Sequence, residues 1–314
     1  MKQYIFKTML FLIPLLIVAI SLEIILRMIP NEYRYKREYL DKYSNDIETL
    51  ILGSSHTYMG LNPEYFTSNT FNAAHSGQLP LYDYKILEKY KKNLKNLKTI
   101  ILPISYASLF KKYNSFELTT FKKKYKYFFE SDTFYIIEIT EHSLYNNLKK
   151  INTYHKNKTT KYNKLGWCKI DNYINNEVEL ANSAHRTLPW ETFENIKSDE
   201  NQKIFYENVS FLKYIIQWSK TNNVDVILFT PPAYKTYYNN LNKEQMSETI
   251  NKAIDFTKKF DNCTYINLLD DPRYIAKDFW DASHLSDFGA EKLSRYMDSV
   301  VQYNYYDTKA NHTK

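Results

Sequence analysis

The stretch Glu48-Thr-Leu-Ile-Leu-Gly-Ser-Ser-His56 is a short apolar run that ends at a glycine and two serines. A run of this length, closed by a turn-forming residue, is typical of a strand buried on both faces of a parallel sheet. A serine directly after such a strand can lie at a strand-to-helix turn with its hydroxyl exposed. The stretch therefore predicts a buried strand with a polar turn at its carboxyl end.

Four similar apolar runs follow, and segments with helical spacing lie between several of them. The runs are Thr70–Ala74, Thr99–Ile104, Val224–Thr230 and Cys263–Leu268. Helices are predicted at Leu81–Leu97, Ile204–Lys220, Lys243–Phe260 and Asp287–Val300. Strands that alternate with helices in this way predict an α/β fold, with a doubly wound parallel sheet covered on both faces.

Between Lys111 and about Asn201 this alternation stops, and the sequence is rich in Lys, Tyr and Asn with weak periodicity. A structureless loop of this length is uncommon in a compact domain, so we interpret the segment as an inserted, mainly irregular or helical subdomain. The predicted organisation is a membrane anchor at 1–30, a juxtamembrane linker at 31–47, the α/β domain at 48–305 and a polar tail at 306–314.

The composition is that of a globular protein, with 44% hydrophobic and 25% charged residues in 314. The formal net charge is +7, but the basic residues are scattered, with only short clusters such as Lys122–Lys124. Nucleic-acid binding would need a concentrated basic face and a recognisable module, and the sequence has neither. We therefore expect no nucleic-acid partner and interpret the charge mainly as solvated helix faces, although an anionic membrane surface is compatible with it.

The N-terminus carries the clearest targeting signal. The 21 residues Met9–Ile29 are mostly apolar, which is about the length that crosses a ~30 Å hydrocarbon core as a helix. Glu23 and Arg27 interrupt the stretch, but their spacing lets them pair on one helix face. We favour an uncleaved, single-pass anchor. The alternative is a cleaved signal peptide with the small residues Ala19 and Ser21 at its cleavage site.

Basic residues flank both ends of this stretch, so the charge distribution does not decide the orientation in the membrane. They are Lys2, Lys7, Arg34, Lys36 and Arg37. The two cysteines, Cys168 and Cys263, are far apart and lack metal-type spacing. They could form one disulfide or remain two buried thiols.

Three polar segments follow predicted strands or precede the last helix: Gly53-Ser-Ser-His56, His75-Ser-Gly77 and Asp281-Ala-Ser-His284. In open α/β sheets, ligands bind beyond the carboxyl ends of the strands. A nucleophilic serine needs a histidine to accept its proton and a carboxylate to hold the imidazole tautomer. Each segment alone can be explained without catalysis, as a serine that caps a helix or as an Asp–His pair on the surface. Their joint placement favours catalysis.

These segments resemble the SGNH (GDSL-like) hydrolase superfamily, over Glu48–Phe110 and Asn201 to about Tyr303. The resemblance makes Ser55 the nucleophile, with its backbone N–H and that of Gly77 as oxyanion-hole donors. It makes His284 the base and Asp281 the residue that orients it. It also implies a flavodoxin-like sheet and a Ser-His-Asp acyl-transfer mechanism that needs no metal or cofactor.

The Ser-Ser variant, the anchor and the insertion are most similar to the extracytoplasmic branch of this superfamily. That branch includes the D-alanine transfer protein of teichoic acids and the alginate O-acetylation proteins. The resemblance implies a cell-membrane esterase or acyltransferase with an extracytoplasmic catalytic domain. Its substrates would be acyl groups, O-acetyl above all, on a cell-surface polysaccharide or similar glycan, and a membrane-bound O-acyltransferase would be its partner.

One departure from the superfamily pattern concerns the third strand. The asparagine that donates to the oxyanion there is replaced by Pro103-Ile-Ser-Tyr106, so Ser105 or Tyr106 would substitute or the donor is absent. Loss of one such donor typically costs on the order of 100- to 1,000-fold in rate. The alternative hypothesis is therefore a non-catalytic partner that docks a membrane O-acyltransferase.

The remaining candidates are side chains that could contact substrate. His56, His75 and Tyr106 are predicted to bind substrate, and the alternative for each histidine is a structural role. A zinc site built from His56, His75, Asp281 and His284 is conceivable, but their spacing matches no metal motif.

Overall fold

The computed structural model describes residues 2–130, 137–141, 143–157, 160–170, 174 and 176–312. The chain divides into two compact units. The smaller consists of Met1–Glu38 and Ser115–Thr160, and the larger of Tyr39–Asn114 and Lys161–Lys314. Residues 313–314 of the predicted polar tail lie outside the described part of the chain.

The larger unit is built on a five-stranded, all-parallel sheet. The strands are β1 (Thr49–Ile51), β2 (Thr70–Asn72), β3 (Thr99–Pro103), β4 (Asp225–Thr230) and β5 (Cys263–Asn267). Their order in the sheet is β2-β1-β3-β4-β5, which is the order of flavodoxin-like doubly wound sheets. The predicted α/β fold class is confirmed.

The helices between the strands follow the predicted alternation, and further helices lie in the insertion. Within the described residues they are α1 (Lys2–Met28), α2 (Glu32–Tyr43), α3 (Ser55–Gly60), α4 (Pro80–Tyr90), α5 (Ser115–Phe129), α6 (Glu138–Glu141), α7 (Leu144–Asn157), α8 (Glu177–Glu191), α9 (Asp199–Thr221), α10 (Lys235–Tyr238), α11 (Lys243–Lys259) and α12 (Asp287–His312). Short 3-10 turns lie at Ser44–Asp46, Pro63–Tyr65 and Ala276–Asp278.

Alternating strand residues face two helix layers, because successive side chains of a strand point to opposite faces. Ile51, Ile101 and Ile227 share one face and form an apolar cluster with residues of α8, α11 and α12. Leu50 and Ile100 point to the other face, where α9 packs on β4 and α4 packs on α9. All five side chains are fully buried, so the centre of the sheet is dry on both sides.

Two predicted helix ends differ most from the structure. The helix predicted at Leu81–Leu97 ends at Tyr90, and turns that contain Asn93 and Asn96 follow it. Asparagine favours turns over helix because its side chain competes for backbone hydrogen bonds. At the other end of the chain, α12 continues past the predicted Val300 to His312.

The smaller unit contains α1, the start of α2, and α5, α6 and α7 from the insertion. Its segment Phe6–Met28 has a mean hydropathy of 2.8 and is long and apolar enough to cross a membrane, a test that a signal sequence also passes. Glu23 and Arg27 pair at 2.7 Å, as their spacing predicts. The predicted linker at 31–47 is itself largely helical.

Both cysteines lie in the larger unit as buried thiols that form no disulfide, the second of the two alternatives that the sequence leaves open. Burial raises the pKa of the Cys263 thiol to about 12. A thiol that stays protonated is a poor nucleophile, so Cys263 serves as a core residue.

Candidate active site

The turn after β1 is shaped by a glycine. Gly53 has a φ of +109°, and a Cβ atom there would lie 2.2 Å from Cδ of Pro103. Only glycine can occupy this position without displacing the neighbouring strand end. Ser54 caps α3, and Ser55 is its first residue. The turn thus places the Ser55 side chain just beyond the carboxyl edge of the sheet.

His284 lies on the loop before α12 and is directed at Ser55. Its Nε2 atom is 2.7 Å from Ser55 Oγ, although 229 residues separate the two in sequence. This distance is within the range at which a general base accepts a hydroxyl proton. The fold therefore brings together the serine and histidine that the sequence analysis singled out.

Asp281 holds the other side of the same imidazole. Its Oδ2 and Oδ1 atoms are 2.9 and 3.0 Å from His284 Nδ1. Oδ1 also accepts the backbone N–H groups of Ser283 and His284, at 2.9 and 2.8 Å. A proton on Nδ1 is therefore shared with the carboxylate, which leaves the lone pair of Nε2 free to accept the Ser55 proton.

The electrostatics of the pair follow from its burial and its hydrogen bonds. Burial alone would raise the pKa of Asp281, but the charge of His284 and hydrogen bonds from His284 and Ser283 lower it to about 2. For His284, burial favours the neutral ring, but the nearby Asp281 charge and hydrogen bond outweigh it and raise the pKa above 6.5. Asp281 is thus a stable carboxylate that favours protonation of the base.

Two backbone N–H groups are suitably exposed to stabilise an oxyanion. Those of Ser55 and Gly77 make no hydrogen bond within the described part of the chain, and both residues line the pocket beside the serine. The N–H of Ser55 is free because the first turn of a helix has no intrahelical partner for it. Gly77 has a φ of +74°, a conformation that favours glycine.

Ser105, which follows β3 and was predicted as a candidate third oxyanion donor, also lines the pocket. Its backbone N–H donates to Ser108 Oγ at 2.7 Å, and the two hydroxyl oxygens are 2.7 Å apart. Ser108 Oγ also donates to the backbone carbonyl of Ser105 at 3.0 Å, so the Ser105 hydroxyl can donate to a substrate only when Ser108 turns its proton to Ser105 Oγ instead. A third oxyanion donor thus depends on the orientation of two hydroxyl groups.

His56 lies in the pocket next to the base. Its ring is stacked on that of His284, with centroids 4.9 Å apart and planes inclined by 19°. Its Nδ1 atom is 3.3 Å from Ser54 Oγ. Burial, together with the charge of His284, lowers the pKa of His56 to about 3, so this ring is neutral around neutral pH.

His75 and Tyr106 are not among the residues that line this pocket. His75 is fully buried. Tyr106 is buried as well, and its hydroxyl lies 3.0 Å from Thr192 Oγ1 and accepts the backbone N–H of Asn242. That these two side chains contact substrate stays a prediction. Among the described residues, no group of three or more His, Cys, Asp or Glu side chains is arranged to hold a metal ion.

A family model described as "Protein of unknown function (DUF1574)" matches residues 135–297, just over half of the chain. The chain belongs to the DUF1574 family. The DUF1574 match contains Asp281 and His284, whereas Ser55 and Gly77 precede it. No curated protein matches the chain.

The solved structures that resemble this DUF1574 protein include three bacterial proteins. A candidate platelet activating factor from Streptococcus pneumonia is 12% identical, over 86% of this chain and 91% of that chain, with a TM-score of 0.43. A candidate acylhydrolase from Bacteroides fragilis NCTC 9343 is 9% identical, over 84% of this chain and 96% of that chain, with a TM-score of 0.41. A GDSL-like lipase from Bacteroides thetaiotaomicron VPI-5482 is 8% identical, over 87% of this chain and 99% of that chain, with a TM-score of 0.42. At these TM-scores the similarities decide neither fold nor activity; the order of the strands establishes the fold.

One buried carboxyl group of the DUF1574 protein was missed by the sequence analysis. Asp83 Oδ1 accepts the backbone N–H of Gly53 at 2.7 Å and the side-chain amide of Gln78 at 2.5 Å. It thereby joins the serine turn to the loop that carries Gly77. Burial raises its pKa to about 7, against the hydrogen bonds from Gln78 and Gly53. The sequence did contain an indication of its burial, because Asp83 lies four residues before Leu87 and so shares the apolar face of α4.

Two charged side chains of the pocket were also missed, because they lie in or beside the insertion. Lys111 and Glu191 both line the pocket. Within the described residues neither takes part in an ion pair, although Glu191 accepts a hydrogen bond from the buried hydroxyl of Tyr237. The weak sequence pattern of this region gave no indication that it reaches the site.

Proposed function

We propose that this protein is a membrane-anchored serine esterase or acyltransferase. The observation that carries the proposal is the chain of contacts from Ser55 Oγ to His284 Nε2 and from His284 Nδ1 to Asp281. Such a chain, next to two unpartnered backbone N–H groups at the end of a strand, has the parts that acyl transfer requires.

The first half-reaction forms an acyl-enzyme. Ser55 Oγ attacks the acyl carbonyl carbon while its proton passes to His284 Nε2. The carbonyl oxygen gains negative charge and accepts hydrogen bonds from the N–H groups of Ser55 and Gly77. When the tetrahedral intermediate collapses, His284 gives the proton to the departing alkoxide, and Asp281 stabilises the imidazolium in between.

The second half-reaction releases the acyl group. A water molecule or an acceptor hydroxyl gives its proton to His284 Nε2 and attacks the ester carbonyl of acyl-Ser55. When this second tetrahedral intermediate collapses, the bond between the acyl carbon and Ser55 Oγ breaks, and His284 returns the proton to Ser55 Oγ. Water completes a hydrolysis, and a sugar hydroxyl completes a transfer. The chemistry of the site is the same for both, so the choice depends on which acceptor binds in the pocket.

The pocket supports a small acyl group and a polar acceptor. Beside Ser55 its wall is formed by the small side chains of Ser105, Ala107 and Ser108. Lys111 and Glu191 also line the pocket, beside the apolar side chains of Leu79, Pro80 and Leu212, and their charged groups can hydrogen-bond sugar hydroxyls. We therefore propose O-acetyl groups of a cell-surface polysaccharide or similar glycan as the substrate.

The apolar helix α1 supports a location in the cell membrane. We propose that it is a single-pass anchor and that the catalytic unit is extracytoplasmic, where surface glycans are found. A membrane-bound O-acyltransferase is the proposed partner, since it would supply or receive the acyl group. Basic residues flank both ends of the helix, so charge does not decide its orientation in the membrane. The proposed orientation therefore follows from the proposed substrate.

The activity can be tested with full-length protein in detergent and p-nitrophenyl acetate as the donor. We expect release of p-nitrophenol with wild type and its loss in Ser55→Ala, together with acetylated product when an oligosaccharide acceptor is added. The longer ester p-nitrophenyl octanoate should be a poorer donor. Absence of any Ser55-dependent release from acetate would reject the enzyme proposal.

A non-catalytic role as a docking partner of an O-acyltransferase is the second candidate. The observation that favours it is Ser105, whose hydroxyl is engaged by Ser108 where the superfamily pattern has an asparagine. The two candidates differ in cells. A Ser55→Ala variant that restores glycan acetylation as fully as wild type would favour the docking role, and one that fails while folded favours catalysis.

A further inference from the structure

Almost all of the net positive charge of the chain belongs to the smaller unit. The sequence of Met1–Glu38 and Ser115–Thr160 contains 14 of the 42 Lys and Arg residues but only 8 of the 35 Asp and Glu residues. Its net charge is therefore +6 of the total +7. The unit that contains the apolar helix is thus also the unit that an anionic surface would attract.

A carboxylate of α1 fixes the start of α6. The backbone N–H groups of Glu138 and Ile139 donate to Glu23 at 3.1 and 2.9 Å. Glu23 lies five residues before Met28, the end of the apolar segment, which is about 7.5 Å along a helix. If α1 spans a bilayer, α6 starts within the depth of about 5–10 Å at which interfacial helices lie.

The helix after α6 presents an apolar face to its surroundings. Leu144, Tyr145 and Leu148 are 61%, 72% and 51% exposed, and their spacing places them on one face of α7. Ile137, just before α6, is 53% exposed. Asn147, by contrast, is buried, and its side-chain amide donates to the backbone carbonyl of Ile139 at 2.9 Å. The apolar side chains therefore point away from the core of the unit.

The polarity of α7 changes along its length. Its first half carries the exposed apolar side chains, and its second half exposes Thr153, His155 and Lys156. An apolar face beside basic residues is typical of helices that lie in a membrane interface. A tyrosine at the boundary fits this setting, because its ring is apolar and its hydroxyl remains hydrated.

We propose that α6 and the first half of α7 lie in the interface of an anionic lipid bilayer, with Leu144, Tyr145 and Leu148 inserted among the head groups and upper acyl chains. This inference rests on the proposed anchoring by α1. The occupant is lipid, because the apolar face begins where α6 is bonded to a helix of membrane-spanning length. The excess of basic residues in the same unit matches the charge of anionic head groups.

The test uses three single-site cysteine variants of the full-length chain, labelled with an environment-sensitive fluorophore. Leu148→Cys reports the apolar face, Thr153→Cys is the exposed control on the same helix, and Ile17→Cys reports the anchor. Cys168 and Cys263 are buried, and wild type treated in parallel measures any labelling of them. The proteins are reconstituted in vesicles of phosphatidylcholine with phosphatidylglycerol, with or without lipid that carries a quencher on the upper acyl chain.

We expect blue-shifted emission and strong quenching for Leu148→Cys and Ile17→Cys, and neither for Thr153→Cys. The quenching of Leu148→Cys should weaken in vesicles of phosphatidylcholine alone. A Leu148 label as exposed to water as the Thr153 label, with the Ile17 label quenched, would overturn the inference and indicate a protein-binding face instead. Absence of quenching at Ile17 would reject the anchoring itself, so the two failures are distinguishable.

Discussion

The imidazole rings of His56 and His284 are stacked, with their centroids 4.9 Å apart. His56 follows Ser55 in sequence, so one turn supplies both the nucleophile and a wall for its base. Because the pKa of His56 is lowered to about 3, this wall is uncharged around neutral pH. The imidazole ring of His284 is thus held at its Nδ1 edge by Asp281 and on one face by the ring of His56.

We predict that His56 positions the base and does not transfer protons. His56→Ala should lower kcat by up to about 100-fold, because the ring of His284 gains freedom to move. His56→Phe keeps a ring at this position and should lose less than about tenfold. His284→Ala should lose on the order of 10⁴-fold or more. Steady-state kinetics on an acetyl ester measures all three, and a His56→Phe variant as inactive as His284→Ala would move the base to His56.

The pH dependence of kcat/KM should follow His284. The base must be neutral to accept the Ser55 proton, and its pKa is raised above 6.5, so activity should rise with pH through one ionisation centred above 6.5. Asp281→Asn should shift the midpoint to lower pH and reduce the rate by on the order of 10⁴-fold. Asp83 also titrates near 7, so the profile of Asp83→Asn is the control. A midpoint below 6.5 in wild type would contradict this account.

The fold was predictable because each strand of the sheet is a short apolar run. Leu50 and Ile51, for example, are both fully buried, and a short strand between two helix layers requires apolar residues at consecutive positions. The pairing of Ser55 with His284 was inferred from the chemistry of the polar segments and from the resemblance to SGNH hydrolases, since no single segment of sequence encodes the order of the strands in space. The structure supplies that order and brings the two residues within 2.7 Å.

The parts that were not predictable depend on contacts between distant segments. In the sequence Asp83 looks like an ordinary polar residue of a helix, and only the structure shows that Gly53 and Gln78 donate hydrogen bonds to it. Glu191 belongs to an insertion whose sequence has weak periodicity, so its place in the pocket could not be foreseen. The stacking of His56 on His284 likewise requires the loop before α12 to reach the turn after β1.

Asp83 should position the oxyanion donors, because it joins the turn of Ser55 to the loop of Gly77. Asp83→Ala removes both hydrogen bonds and should lower kcat about 10- to 100-fold with little change in KM. Asp83→Asn keeps an oxygen acceptor at the same place and should retain most activity. Equal kcat in wild type and Asp83→Ala would show that the link has no role in catalysis.

Asp83 should also make stability depend on pH. Its folded pKa of about 7 lies above its ordinary value of 3.8, so its stabilising effect is complete below pH 3.8 and is lost as the pH rises through 7. The loss amounts to at most about 4 kcal/mol. The melting temperature of Asp83→Asn minus that of wild type should therefore be larger at alkaline pH than at acid pH. Melting temperatures that differ by the same amount at both pH values would contradict the raised pKa.

The central claim is that Ser55 is a nucleophile activated by His284, and covalent labelling tests it most directly. Folded full-length protein is treated with a fluorophosphonate probe, and the modified residue is located by mass spectrometry of its peptides. We predict that the probe is attached to Ser55, that Ser54→Ala is still labelled, and that Ser55→Ala and His284→Ala are not. A folded wild-type protein that remains unlabelled, or a probe found on Ser54, would contradict the account.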